Sequence, residues 1–291
     1  MRRVLLALLA AAAAASIRAE EPEAQGSKTT SSRAPTIQDN SLLVEEAYNQ
    51  EPGIVQHINV FLRDQRTNRW FATFTQEYPI GGVRNQASYT IPYQRLDTGA
   101  ESVSGLGDVA LNYRYQLVGS GAARVAVAPR VTVFLPTGDS RRGLGAGSTG
   151  VQIAVPASVI LSESWVVHGN AGATFTPSAR DEQGDKANTL GYNFGASLVW
   201  TGGGTFNGFV EIAWSEAPIV SGFHRTQGQT SFVVSPSVRW AYNFASGLQI
   251  VPALGIPIGV GSSRGQRSVI LYLSFEHPFS EIGRAPRPAG G

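Results

Sequence analysis

The stretch that decides the fold is "RVAVAPRVTVFLPTGD", Arg124 to Asp139. Every second residue is apolar (Val125, Val127, Val131, Val133, Leu135), whereas Arg124, Arg130 and Thr132 occupy the other set. A period of two is the mark of an extended strand, because successive side chains leave a pleated backbone on opposite sides. A soluble sandwich buries the apolar face and wets the other. A membrane barrel does the same with lipid in place of the core and an aqueous lumen in place of solvent.

Composition favours the membrane barrel over a secreted sandwich or lipocalin-like barrel. The chain has 291 residues, no Cys, a single Met and 15% charged residues, against roughly a quarter in soluble domains. Without Cys there are no disulfides and no thiolate metal sites. Low charge suits a surface that faces lipid. The opening residues, "MRRVLLALLAAAAAASIRA", combine a basic start, an apolar run and small residues before a cleavage point, and 1–19 therefore reads as a signal peptide. Removing Arg2, Arg3 and Arg18 takes 23 basic residues to 20 against 21 acidic, so no basic excess is left for nucleic acid.

Residues 20–54 read as a periplasmic N-terminal segment. Its first part, "EEPEAQGSKTTSSRAPTIQDN", is polar and free of aromatics, as disordered chains are. The following "SLLVEEAYNQEPG", Ser41 to Gly53, reads as a plug, a lid or a simple lead-in.

Twelve strands follow, near 55–64, 70–80, 86–96, 106–118, 124–136, 150–162, 165–178, 189–200, 206–219, 230–244, 248–260 and 267–279. Most have the length a tilted strand needs to cross a bilayer. The links "GGVRN", "GSGAA", "SES", "TGGGT" and "ASG" are short, and several of those between them are longer. Outer-membrane barrels pair tight periplasmic turns with longer external loops in this way. The faces alternate too: Val109, Leu111, Tyr113, Tyr115 and Leu117 point to lipid, with Asp108, Asn112, Arg114 and Gln116 inside. Aromatics gather at strand ends in two girdles, Trp165, Trp200, Phe206, Phe244 and Phe279 on one side and Trp70, Phe134, Phe175, Trp214 and Phe232 on the other. The expected fold is all-β: a transmembrane antiparallel up-and-down β-barrel over 55–279 in the bacterial outer membrane, with both termini and the tail 280–291 in the periplasm.

The stretches "SGLGDVALNYRYQLV", "APRVTVFLPTGDSRRGLGAGS", "VEEAYNQEPGIVQHINVF" and "TFTQEYPI" resemble the outer-membrane transporter family associated with meta-pathway phenol degradation. The resemblance runs from about Ser41 to Phe279, with Gly105-Leu106-Gly107-Asp108 and Pro136-Thr137-Gly138-Asp139 as its most specific parts. It implies a barrel and a transport role but assigns no substrate and no catalytic residue.

Enzyme readings fail on the residues. His168 is followed by no Ser two positions on, and His57, His224 and His277 are scattered without metal-ligand spacing. No metal or cofactor is expected. "GAGSTG", Gly145 to Gly150, has the glycine spacing of a dinucleotide fingerprint but no helix to receive a pyrophosphate. "DEQGDK", Asp181 to Lys186, reads first as a solvated loop, with a divalent cation or lipopolysaccharide as the alternative.

The lumen remains. Asp108, Asn112, Arg114, Arg130, His168, Glu211, Arg239 and Glu276 are the pore-lining candidates, arranged either as ion pairs that narrow the barrel or as a transverse field that orients an anionic or polar solute. The expectation is a channel for passive uptake of small solutes, aromatic or anionic compounds among them. The alternative is a closed structural or surface-interaction barrel. Expected partners are outer-membrane lipid and lipopolysaccharide, a small-molecule solute and the barrel-assembly machinery, which reads a terminal strand such as "RSVILYLSFEHPF".

Overall fold

The computed structural model describes residues 37–97, 101–121 and 123–279. The expected signal peptide, the first part of the N-terminal segment and the C-terminal tail lie outside them. Twelve antiparallel strands form a closed barrel: β1 (Ile54–Asp64), β2 (Trp70–Pro79), β3 (Asn85–Asp97), β4 (Val109–Tyr115), β5 (Val125–Val127 with Arg130–Leu135), β6 (Gly150–Ser162), β7 (Trp165–Arg180), β8 (Lys186–Gly203), β9 (Phe206–Glu216), β10 (Thr230–Trp240), β11 (Gln249–Gly255 with Ile258–Gly259) and β12 (Ser268–Pro278). Each pairs with its chain neighbours, and β1 pairs with β12 from Ile54↔Pro278 to Asp64↔Ser268, which closes the wall and leaves no free edge through the middle of the sheet.

The opening stretch shows why the alternation survives local irregularity. Pro129 has no amide hydrogen to donate, and the strand is interrupted there. Both halves of β5 nevertheless keep one register against β6, with Val127↔Ala157 and Arg130↔Ala154. Hence Val131 is 45% exposed on the outer surface, while its neighbour Thr132 is 1% exposed on the inner one. One position in the aromatic girdles needs correcting. Phe134 shares the parity of Thr132 and lines the interior rather than the lipid face. The girdles themselves are visible as contacting rings on the outside, such as Phe206–Trp240 at 5.4 Å and Phe194–Trp214 at 5.6 Å.

The two rims differ. Turns such as 163–164 and 204–205 occupy the rim shared with both ends of the described wall, Ile54 and Pro278. The opposite rim carries the longer connections, including 136–149 and 217–229, the latter with a small hairpin of its own, Ile219–Gly222 and Arg225–Gln227. Among the described residues no helix is long and apolar enough to cross a membrane, a statement that leaves strands untouched.

Candidate functional site: an occupied lumen and the cavity above it

The inward face is where a polar wall meets a segment of irregular chain. Residues 37–53 form no regular element, yet Ile37, Leu42, Val44, Ala47 and Tyr48 are all buried. Chain of this kind can be kept inside a barrel only if its backbone groups find partners. Side chains of the wall supply them. Glu211 on β9 accepts from the Leu43 and Val44 amides, at 2.7 and 3.2 Å. Asn170 on β7 accepts from the Glu45 amide and donates to the Glu45 carbonyl at 3.0 Å. Gln116 accepts from the Asn49 amide at 2.9 Å and donates to the Ala47 carbonyl at 2.7 Å.

Two arginines do most for the carbonyls. Arg239 on β10 donates through Nη1 to the carbonyls of Asp39 and Asn40, while its Nε reaches Asn207 Oδ1 at 3.0 Å. Arg114 on β4 donates to the Glu46 and Tyr48 carbonyls at 3.2 and 2.8 Å and to Asn49 Oδ1 at 2.8 Å, with Glu77 3.9 Å away as its ionic partner. Both guanidinium groups are almost fully buried. They are therefore clamps on the segment, not free cations in a lumen.

Asp39 completes the anchoring. Its carboxylate accepts from Tyr272 and Ser274 on β12 and from Gln56 Nε2 on β1 at 2.9 Å. Ile37 packs with Ala241 and Val251 near the short-turn rim, and Leu42 lies at mid-height in the cluster with Ile58 and Ile270. Tyr48 then reaches back to the Ala123 carbonyl at 3.0 Å, in the turn between β4 and β5. The segment thus rises from the short-turn rim, crosses the lumen near its middle and returns to enter β1.

The other candidates fall into three settings. Arg130 holds Glu45 at 3.1 Å and Gln152 at 3.0 Å, with both members of the ion pair partly exposed. Asn112 accepts from Thr132 at 2.7 Å beside it. Glu276 receives Gln50 at 3.2 Å low in the lumen. His168 is not alone: Ser158, its cross-strand partner, hydrogen-bonds its Nδ1 at 2.8 Å while accepting from the Ala47 amide at 2.8 Å. That hydroxyl is committed to the buried segment, so the pair is a structural tie. Asp108 works outside the lumen's centre. Its carboxylate accepts from the amides of Gly138 and Ala146 at 2.9 and 2.7 Å, folding the loop 136–149 against the wall.

That contact joins the two most specific motifs of the sequence. A Cβ on Gly138 would stand 2.6 Å from the Leu144 carbonyl oxygen, so the second motif needs a glycine for close approach rather than for freedom of φ. The residues missed by sequence reading are Asp39, Asn170, Ser158 and Gln86, which accepts from the Gln50 amide at 2.8 Å. The available signal was the density of inward Gln, Asn and Ser at mid-barrel, more than a wall facing plain water requires. His57 and His277, far apart in sequence, also meet, with their Nε2 atoms 3.1 Å apart on the outer surface. Among the described residues no group of three or more His, Asp or Glu is arranged to hold a metal. Asp181 instead caps its own turn, accepting from the amides of Gln183 and Asp185 at 3.0 and 2.9 Å.

Above the segment lies a cavity of about 640 Å³. Its floor is Asn40 to Glu45. Hydroxyl and apolar groups alternate along its sides: Thr73 lies two residues from Phe71 and opposite Val60, Thr75 stands opposite Ile58 and Thr90, and Thr132 lies two residues from Phe134; the cavity extends to the long-loop residues Leu144, Asp181 and Ile219.

Over residues 53–251 the sequence matches the family described as "Putative MetA-pathway of phenol degradation". The chain belongs to this family. The match begins where the intraluminal segment ends. Among solved structures, the chain is similar to the COG4313 outer membrane channel from Pseudomonas putida F1, with a TM-score of 0.55 and 14% identity over 80% of this chain and 98% of that one. It is also similar to the KdgM porin, with a TM-score of 0.46 and 7% identity over 77% and 99% of the two chains. A third similar structure is the CymD monoaromatic hydrocarbon channel, with a TM-score of 0.40 and 9% identity over 80% and 90%. No curated protein matches the chain. The fold is that of an outer-membrane barrel.

Proposed function

We propose that the protein is an outer-membrane channel for passive entry of small solutes, with the short-turn rim in the periplasm, and that residues 37–53 are its internal plug. The observation that carries this reading is the cavity of about 640 Å³ whose floor is the chain's own segment rather than the wall. Threonine hydroxyls interspersed with aliphatic and aromatic groups suit a small solute that carries both an apolar body and a polar group. Small aromatic alcohols and acids are the first solutes to test, a choice supported by the family's description.

Passage to the periplasm requires the plug to shift, since Arg114, Arg239 and Glu211 hold it across the lumen. The measurement is single-channel conductance in planar bilayers. Intact protein should conduct weakly, and deletion of Asp39 to Gln50 should raise conductance several-fold. A closed structural barrel is the second reading, favoured by the completeness of those hydrogen bonds; silence of both proteins would establish it and end the channel proposal.

A further inference from the structure

Arginine is unevenly spread around the long-loop rim. Arg63, Arg66, Arg69, Arg95, Arg264 and Arg267 all belong to the quadrant formed by β12, β1, β2 and β3. Arg69 turns into the cavity, and the register orders those on the outer surface. Arg63 stands opposite Trp70, and Trp70 opposite Arg95, so the three form one row across neighbouring strands. Arg267 stands two residues above this row, toward the loops: its carbonyl accepts from the Gln65 amide at 2.9 Å, and Val269, two residues on, pairs with Arg63. Arg66 lies against the turn at Gly265, beside Arg264.

The row sits on an aromatic ledge. Trp70 lies 5.8 Å from Phe61 and stacks on Tyr93 at 5.7 Å, two residues farther into the barrel. Aromatic ledges of this kind mark the boundary between hydrocarbon and headgroups. Strands about 4.8 Å apart place Arg63 and Arg95 about 10 Å from each other with the indole between them.

Carboxylates do not neutralise the row. Asp64 turns inward and accepts from the Arg66 and Thr67 amides, at 2.7 and 3.0 Å. Asp97 and Glu101, nearby on and after β3, each have partners of their own. Among the described residues the side chains of Arg63, Arg95, Arg264 and Arg267 make no ion pair. Guanidinium groups held at headgroup level, unpaired and backed by an indole, are suited to phosphate, which they can grip with two parallel hydrogen bonds.

We propose that this quadrant is a binding site for a phosphorylated glycolipid of the outer leaflet, its phosphates gripped by Arg63, Arg95 and Arg267 and its acyl chains lying along Phe61, Trp70 and Tyr93. The site is independent of transport, and its test leaves conductance aside. Full-length protein in mild detergent is titrated with bisphosphorylated lipid A, with the dephosphorylated lipid and with inorganic phosphate, and retained ligand is read by native mass spectrometry. Only the phosphorylated lipid should be retained. The triple variant Arg63→Gln, Arg95→Gln, Arg267→Gln should bind it about a hundredfold more weakly, near fivefold per charge. A control triple on the rest of the rim, Arg141→Gln, Arg142→Gln, Arg180→Gln, should bind as the parent does.

Equal loss in both triples would reduce the effect to general charge and overturn the site. So would equal retention of the dephosphorylated lipid, or displacement by inorganic phosphate at matched concentration, which would make it a free-anion site. If the first triple fails to reach the heat-modifiable folded form, Arg63→Gln and Arg267→Gln are measured singly, and unchanged binding in both refutes the proposal.

Discussion

The two halves of the lumen are built from the same strands, yet one is filled and the other hollow. The filled half presents Arg114, Gln116, Gln86, Asn170, Glu211 and Arg239, long polar groups that end in several donors or acceptors. The hollow half mixes Thr73, Thr75, Phe71, Val60 and Phe134 with longer polar groups such as Gln94 and Gln152. An irregular chain carries an amide and a carbonyl at nearly every residue, and each costs free energy if buried without a partner. Residues 37–53 reach mid-height at Ser41 to Glu45; above them Gln94 donates to the Leu144 carbonyl and Gln152 to Thr174, so these wall amides are spent on loop and wall rather than on the segment.

The sharpest way to break this account is to remove a clamp. Arg239→Met strips partners from the Asp39 and Asn40 carbonyls, and Arg114→Met does the same for Glu46 and Tyr48. Deleting one member of a buried charged network costs about 3 to 5 kcal/mol. That loss should fall on docking of the segment and spare the barrel. Hydrogen exchange should speed at residues 39–50 while β1 to β12 stay protected. Protection unchanged in both variants would mean that the apolar contacts of Leu42 and Ile37, not the arginines, hold the plug.

The outer wall gives the next largest effect. Val131→Arg puts a charge on the lipid face, at a cost of about 2 to 4 kcal/mol near the bilayer midplane, whereas Arg130→Val removes one from the lumen side. Folding into lipid vesicles, followed by heat-modifiable migration, should be impaired much more by the first. Equal impairment would show that Val131 does not meet hydrocarbon.

The contrast between wall and plug also marks what the sequence could say. Val125 to Leu135 announces its two faces because a strand repeats every two residues and one environment lies on each side, so a break at Pro129 does not disturb the reading. Twelve strands and their order follow from repetition of that pattern. Phe134 was misplaced because its position at a strand end was weighed above its parity. For the plug there is no repeat to read. The segment from Asp39 to Gln50 docks through hydrogen bonds to residues as distant in sequence as Glu211 and Tyr272, and those partners become visible only once the barrel has closed. The histidines show the same limit: Ser158 meets His168 through strand register, which spacing along the chain does not express.

The smallest effect sharpens the boundary between the halves. Arg130 and Glu45 form the ion pair at the cavity floor, 3.1 Å apart, with side-chain exposures of 19% and 27%. A pair this open is worth little, about 0.2 to 1 kcal/mol, and neither member should be needed for assembly. Its consequence lies in charge selectivity. With both present, the floor is close to neutral and should treat a small aromatic acid and the matching alcohol alike. Glu45→Gln leaves Arg130 uncompensated and should favour the acid by up to about fivefold. Arg130→Gln leaves Glu45 and should disfavour it by a similar factor, and the double variant should return to the parent's behaviour. Equilibrium binding of the two solutes to detergent-solubilised protein measures all four. If the acid's affinity ignores both substitutions, solutes do not reach the floor, and the hollow half serves the long loops rather than transport.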